Sequence, residues 1–585
     1  MPNKFLKPCA DYRIIFSLYG VFLMNNLYDE KNRLTVMLDT SIEKNIKVLD
    51  TLFGGCGDVV QKSFFVGDIY GKDKEIKRDK NNTEYTDIPN SGFRSKVKIH
   101  LIYIDGLTNN QIIEQTIIKP ILYEWQQIKT NISLVRETSD NSFIEATKGN
   151  KDDKNDHDLW NRIFYVEAQT VDIKEEVSFD KTIEAVLNGD TAMFVDGYAK
   201  TFIISSKKYP LRSITENDTE AGMRGPKDSF NEGIRQSTAL IRRRIKDAKL
   251  RVCQGVIGER SRTSYAIMYM EDLVMPGLVE DIKKRLSRYE IDALFDSGMA
   301  EHLMDDRWYS PFPIFQTTTR PDKAAAGIVE GRVVIAFDNS PEVLLAPCNF
   351  NMLLQASDDY YNRWAVGTFA RFIRYLAAFI AITLPGFYIA VTVYHSDMLP
   401  TRLLYAIANA RSIVTFPVVV EMLIMEFLFE LLREAGIRLP GPLGNTIGVV
   451  GGLIVGQAAV EAGIVSTIVV IVVALTAIAS FAIPNEEFAS VFRLLKFFII
   501  FTSAIAGLYG FVMGLLIIAI HLSELKSFGV PYMMPVVSGG LRDGADDNQD
   551  FIFRAPISFM KKRPVWARWD NRVRLRCNNV EEDKK

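Results

Sequence analysis

The segment from Pro440 to Pro484 constrains this chain more than any other. It reads PGPLGNTIGVVGGLIVGQAAVEAGIVSTIVVIVVALTAIASFAIP. It is long and apolar enough to enter a bilayer, whose hydrocarbon core takes about 20 helical residues to cross. Its halves differ in kind. Ile464 to Ile483 is a run of Val, Ile, Ala and Leu broken by Ser, Thr and one Phe, whereas Gly441 to Gly463 is rich in glycine. Gly452 and Gly456 stand in a G-x-x-x-G spacing, which lets helix backbones approach closely in lipid. Gln457 and Glu461 lie four residues apart and so share a helical face. A carboxylate in such a setting is costly unless it meets water or a partner, which makes Glu461 a functional candidate. The alternative is a hydrated glutamate in a connection between two short membrane segments.

The surrounding chain is segregated. The 585 residues carry a formal charge of −2, yet the stretch before about Arg363 is charge-rich, the stretch from there to about His521 is dominated by apolar runs, and the end is basic. The layout is a large soluble region, a membrane domain and a tail. Near-neutral total charge gives no nucleic-acid footprint. Cys9, Cys56, Cys253, Cys348 and Cys577 are scattered and odd in number, and the histidines are isolated, so neither a disulfide framework nor a metal site is expected. Residues 1–36 are uninformative: Lys4 and Lys7 precede the apolar run Ile14–Leu23 in the order of a signal peptide, without an A-x-A cleavage site, and an extended start is an equal alternative.

The soluble region reads as α/β, in two related subdomains at 37–175 and 176–362. Ser41–Phe53 has helical spacing and stops at Gly54-Gly55; Val97–Ile104 is a strand pattern; Asn110–Ile128 is helical again. Lys72–Asn90 and Lys148–Asp158 read as loops. In the second subdomain Ile267–Leu273 resembles Ile102–Leu107, and each is followed by an amphipathic helix, here Leu278–Tyr289, which suggests an internal repeat. Leu240–Leu250 reads as an arginine-rich helix and Ala192–Ile204 as strand. Ala326–Val329 and Val333–Phe337 read as a hairpin turning near Glu330-Gly331-Arg332.

The membrane domain, 363–526, contains about four spans: Phe372–Tyr394 with Pro385-Gly386 inside it, Ile413–Leu432 carrying Glu421, Glu426 and Glu430, Gly448–Ile483 with a half-helix or re-entrant piece, and Phe497–His521. Arg363, Arg371 and Arg374 before the first span, Arg433 and Arg438 after the second, and Lys526 with the basic tail 527–585 place the soluble region and the tail in the cytoplasm by the positive-inside rule. An additional pair of crossings satisfies the same rule.

No enzyme constellation is present. Gly67–Lys72 (GDIYGK) falls one residue short of a P-loop and lacks its Ser or Thr, and neither G-x-S-x-G nor H-E-x-x-H occurs. No cofactor is expected. Arg242-Arg243-Arg244 could contact lipid phosphate or a neighbouring subunit, or be a solvated helix face. Arg320-Pro321-Asp322-Lys323 reads as an inter-domain or inter-subunit latch, with a plain turn as the alternative. Tyr360, Tyr361 and Trp364 suit a membrane interface, and Trp566 and Trp569 fit a membrane-surface element in the tail.

Several runs resemble the A-subunit family of spore germination receptors, the GerA type: LIRRRIK from Leu240, DSGMAEHLMDD from Asp296, SPFPIFQTTTRPDKAAAGIVEGRVVIAFDNSP from Ser310, DDYYNRW from Asp358, FELLREAGIRLPGPLG from Phe429, GQAAVEAGIVS from Gly456 and SFGVPYMMP from Ser527. Asn339 departs from the family's usual Gly, and Asp228-Ser229 from its usual Glu-Gly. The resemblance implies a non-enzymatic subunit in the inner membrane of a bacterial spore. It would work with a transporter-like B subunit that carries the nutrient site and a lipoprotein C subunit, and would self-associate into a ring in membrane lipid that conducts ions. Gly452, Gly456, Gln457, Glu461, Ile464, Val465 and Ile468 are the candidate pore residues, with an acidic ring favouring cations and an apolar constriction gating by dewetting. A secondary transporter and a membrane-anchored scaffold are the competing readings; no inverted repeat supports the first.

Overall fold

The structure is a computed structural model and describes residues 34–66, 97–119, 172–209, 220, 224–438, 456–537 and 550–575. Gly67–Lys72, the expected loops Lys72–Asn90 and Lys148–Asp158, and Gly452 lie outside these residues.

The soluble region is built twice on one plan. The first unit contains α1 (Ile42–Phe53), β1 (Val59–Val66), β2 (Val97–Ile104), a short helical stretch from Asn110, β3 (Ile173–Glu176), α2 (Phe179–Leu187), β4 (Thr191–Val195) and β5 (Thr201–Ile204). Its strands form an antiparallel sheet in the order β1-β2-β4-β5-β3. The second contains α3 (Ile234–Arg244), β6 (Leu250–Ile257), β7 (Thr263–Met270), α4 (Leu278–Leu286), α5 (Ser297–Met304), β8 (Gln316–Thr318), α6 (Pro321–Val329), β9 (Val333–Phe337) and β10 (Val343–Ala346). Its order, β6-β7-β9-β10-β8, repeats the first strand for strand. The alternation of side chains along a strand divides the apolar residues of the inner strands between two cores: Ile99, Leu101 and Tyr103 of β2 enter one core while Ile102 and Ile104 enter the other. In β9, Val333, Ile335 and Phe337 face α4 and α5, and Val334 and Ala336 face α3 and α6.

This arrangement corrects four expectations. Ala192–Ile204 supplies β4 and β5 of the first sheet, so the first unit extends past residue 175. The arginine-rich helix starts at Ile234 and stops at Arg244, leaving Leu250 to begin β6. Ala326–Val329 is the end of helix α6, not a strand; proline at N1, Asp322 in the first turn and three consecutive alanines are helix signals, and Gly331, at φ +90°, stops the helix. Finally, the arginine run packs largely within the soluble region, with Arg242 buried, Arg244 half-buried and Arg243 exposed. Arg242 is buried, donating from Nε to Asp58 at 2.6 Å in the first unit. Arg244 pairs with Asp228 at 2.5 Å, and Arg243 lies over the Tyr209 ring. With the Gly57 N–H donating to Val252 O at 2.9 Å, the Arg242 and Arg243 contacts join the two units.

Asn339 has φ +69°. A left-handed residue is where glycine is the default and Asn is among the better-tolerated substitutes, which accounts for the departure at that position.

After α7 (Phe350–Leu354) and α8 (Asp358–Tyr361), the chain enters α9 (Trp364–Ile389), which runs on through a π-turn to Tyr394. Then come α10 (Thr401–Arg411), α11 (Val418–Arg438), a short helix from Gly456 to Glu461, α12 (Thr467–Phe481) and α13 (Glu486–Glu524). The stretches Trp364–Tyr394 and Glu486–Glu524 are long and apolar enough to cross a membrane, and Thr467–Phe481 is a shorter apolar helix.

α13 is not one straight rod. Ala506 (φ −128°, ψ 18°) and Gly507 (φ 58°, ψ −135°) break it. A Cβ on Gly514 would lie 2.7 Å from Thr502 Oγ1 and 2.9 Å from Ile499 Cδ1, atoms that a straight helix would hold about 18 Å or more away at 1.5 Å per residue. Residues 486–505 and 508–524 are therefore two antiparallel arms, the first roughly 30 Å long. The single span expected over Phe497–His521 is a hairpin. Both its ends meet the soluble region: Glu487 accepts from Thr317, Phe350 packs on Phe488 at 5.1 Å, and Ser310 Oγ lies 2.9 Å from His521 Nε2. The tip meets the far end of α9, where Tyr394 OH donates to Ala504 O at 2.6 Å.

Candidate functional site

The broken segment expected to line a pore lies at the end of the helical bundle away from the soluble region. The short helix from Gly456 stops at Glu461, Gly463 adopts φ +65° against Ile413 O, and α12 restarts at Thr467. Gln457 and Glu461 are both exposed, and Gln457 Nε2 donates to Glu461 Oε1 at 3.0 Å. Ile464 is exposed and Ile468 half-buried. Gly456 is buried beside Val470. Val465 is enclosed with Tyr388, Ile389, Val418 and Met422 in the core of the bundle, so within one protomer it packs between helices and lines no opening.

The carboxylates of α11 are disposed differently. Glu421 is fully buried, receives the Ser466 N–H at 3.1 Å and sits 3.3 Å from Arg411 Nε. Glu426, equally buried, lies 2.5 Å from Lys496 Nζ. Glu430 lies 3.1 Å from the same ammonium and 3.3 Å from Arg493. Arg433 reaches Ser480 Oγ at 3.5 Å and covers the Phe481 ring. A polar stripe thus runs along α11, with Glu426 and Glu430 answered by the first arm of α13 and Glu421 by Arg411 of α10. The acids were legible in the sequence. Lys496 was not, because the fourth span was started at Phe497, one residue too late to include it. By contrast, no basic side chain among the described residues lies within ion-pair distance of Glu461.

A second constellation joins the soluble region to the base of α9. Asp359, almost fully buried, accepts from Arg371 Nε at 3.1 Å and from both Arg374 terminal nitrogens at 2.7 Å. Arg371 is also bound to Asp550 at 2.7 Å and to Phe551 O. Tyr360 is sandwiched between the guanidinium groups of Arg371 and Arg554, at 5.3 and 5.4 Å from its ring centre, and donates to Asp550 Oδ2 at 2.6 Å. Burial and then the Asp550 charge push its phenol well above the ordinary range, so it remains a donor. Tyr360 is thus a half-buried bridge, not an interface anchor; Trp364 is exposed as expected. Trp566 is buried in the core cluster that also holds Phe312, Cys348 and Tyr532, while Trp569 is exposed. Arg371 and Arg374, counted from the sequence as positive charges flanking the first span, are paired with carboxylates.

The Arg320–Lys323 turn caps α6. Pro321 fills N1, Arg320 pairs with Asp322 at 2.9 Å and donates to Pro226 O at 3.2 Å, and Lys323 reaches Glu220 at 3.1 Å. Tyr361 OH donates to Asp322 Oδ2 at 2.7 Å, linking α6 to α8 just ahead of α9.

Residues 74–566 match the family model for the Bacillus/Clostridium GerA spore germination protein. The chain is 35% identical over 543 residues to the membrane protein YfkQ of Bacillus subtilis (strain 168), covering 93% of this chain and 94% of that one. It is 35% identical over 548 residues to spore germination protein KA of the same organism, covering 93% and 90%. Over 377 residues it is 44% identical to spore germination protein A1, also from that organism, covering 64% and 77%. The crystal structure of the N-terminal domain of the A subunit of the Bacillus megaterium spore germinant receptor GerK3 aligns with 54% of this chain and 99% of that domain, at 22% identity and a TM-score of 0.36.

Proposed function

The chain belongs to the GerA spore germination family, the A subunits of germinant receptors, and on that premise we propose that copies of it assemble in the spore inner membrane and conduct cations when nutrient engages the receptor. Its partners are a transporter-like B subunit and a lipoprotein C subunit, with the soluble region and the tail on the cytoplasmic side. It performs no covalent chemistry.

The observation that carries the reading is the contrast among membrane carboxylates. Glu421, Glu426 and Glu430 are each paired within the protomer, whereas Glu461 is exposed at a helix break, held among the described residues by Gln457. A charge presented outward from an apolar segment is stabilised by water or by a neighbouring subunit. In a ring, each copy places one such carboxylate at the same depth, raising the local cation concentration. Gln457, Glu461, Ile464 and Ile468 form the exposed or half-exposed wall of this path, with buried Gly456 behind it and Gly452 just upstream in sequence. Val465 acts from behind, as the packing that holds the break in place.

The test is ion flux through liposomes holding matched amounts of assembled receptor. Glu461→Gln is expected to reduce cation conductance, and Glu461→Lys to abolish or reverse selectivity. Unaltered selectivity in Glu461→Lys, with assembly confirmed, would remove this carboxylate from the path.

A further inference from the structure

Where the second α/β unit, the α7–α8 linker and the tail converge, they enclose a cavity of about 230 Å³. Its walls come from all three: α6 and Arg332 on one side, Asn351, Gln355 and Tyr360 on another, and Asp550, Lys562 and Trp566 on the third. A void lined this heavily with polar groups is not an apolar packing defect.

Several of the charges in its walls are paired. Asp322 is held by Arg320 and Tyr361, Glu330 by Arg574 at 3.4 Å, Asp550 by Arg371, and Lys323 by Glu220. Arg332 is 4% exposed, and its named partners are all neutral: Pro347 O at 3.0 Å, Gln316 Oε1 at 2.7 Å and Leu345 O at 3.5 Å. No carboxylate among the described residues lies within ion-pair distance of it. Burial pulls its pKa below the ordinary arginine value. A guanidinium nonetheless stays charged in a protein, and a desolvated charge without a countercharge is costly. A second donor in the same wall is also unanswered: Trp566 is 7% exposed and its indole Nε1 is buried without a hydrogen-bond partner among the described residues.

We propose that this cavity binds a small anion, a carboxylate or a phosphate, whose negative group supplies the countercharge that Arg332 lacks. The volume suits a compact ligand. Such a ligand would touch the soluble unit, the linker that leads into α9 and the tail at once, so occupancy would stiffen the joint through which α6 reaches the membrane helices. The site is independent of the ion path and stands whether or not that path conducts.

Binding is measured by titration calorimetry on the full-length protein in lipid nanodiscs, with inorganic phosphate and with succinate as probes at fixed ionic strength in chloride. At least one probe is expected to bind saturably, one per chain; which one does so assigns the site to phosphate or to carboxylate. Arg332→Gln is expected to weaken that binding at least tenfold. Because loss of a buried arginine can impair folding, Ala326→Phe is the companion variant: Ala326 is an exposed residue of α6 at the cavity wall, and a ring there fills the space without touching the core. It is expected to keep the wild-type melting temperature and lose binding. Absence of saturable binding of either probe to the wild type would overturn the proposal. So would wild-type affinity in a folded Arg332→Gln or Ala326→Phe protein.

Discussion

Replacing Lys496 by Met tests whether the stripe along α11 holds the bundle together. Lys496 is 4% exposed and Glu426 1%, and the charged atoms are 2.5 Å apart. At an effective dielectric of about 20 such a pair attracts by roughly 6–7 kcal/mol, and taking the two ions out of water costs several kcal/mol each. The pair as a whole is then worth little, but removing one member strands the other. Lys496→Met leaves Glu426 without its ammonium, at an expected cost of about 3–5 kcal/mol. Glu430 is spared, because Arg493 remains 3.3 Å away. For a domain of this size that corresponds to a fall in melting temperature of roughly 6–20 °C. The double variant Lys496→Met/Glu426→Gln removes both charges and is expected to return to within about 2 kcal/mol of the parent. Thermal unfolding of the four proteins of this cycle, followed by fluorescence in one detergent, measures the coupling. A Lys496→Met protein that melts with the parent would refute the reasoning, and so would a double variant damaged by the sum of the two single changes.

The soluble region should lose stability in acid. His100 is buried between Ser63 Oγ and Gln61 Oε1, and burial, reinforced by Lys98, lowers its pKa to about 4; the unfolded chain therefore takes up its proton first, near pH 6.5. Stability is full above that value and declines by up to about 3 kcal/mol as the pH falls toward 4, and denaturant titrations of His100→Asn should show a flatter profile over that window. Asn339→Gly should be neutral or slightly stabilising and Asn339→Ala should cost about 1 kcal/mol, because only the latter resists a φ of +69°; urea midpoints of the two variants check the sign. Gly510→Ala should destabilise the α13 hairpin severely, since a methyl there would overlap Thr502 O of the opposing arm; a melting temperature equal to the parent's would mean the arms do not meet. With the native cysteines replaced, a cysteine at exposed Ser558 should resist an impermeant thiol reagent applied outside intact cells, and labelling would overturn the cytoplasmic placement of the tail.

The features legible in the sequence were those with a local period. The Ile42–Phe53 helix, the β2 strand and the repeat of one plan in two units could be read because apolar residues recur at fixed spacing in each. The pairing of β4 with β2 could not, because sheet membership is set by contacts across some ninety residues rather than by local pattern. The α13 hairpin was missed because hydropathy averages over Ala506-Gly507 as though the helix continued. Glu461 stood out as a charge in an apolar run. Arg371 did not, because arginines next to a span fit the positive-inside pattern whether they are free or, as here, buried against Asp359 and Asp550.

The contact between Arg371 and Asp550 also sets an order of events during synthesis. The two residues are 179 positions apart, and all of α10 to α13 lies between them. When α9 leaves the ribosome, Arg371 already has Asp359 twelve residues upstream, so its charge is covered from the start. Tyr360, Trp566 and the cavity wall must wait until the bundle is inserted and the last stretch is translated. The joint between the soluble region and the membrane is then the final part of the molecule to close. A chain stalled or clipped before residue 550 would carry both α/β units and helices α9 to α13 while leaving them unlatched, and quality control has a distinct species to recognise.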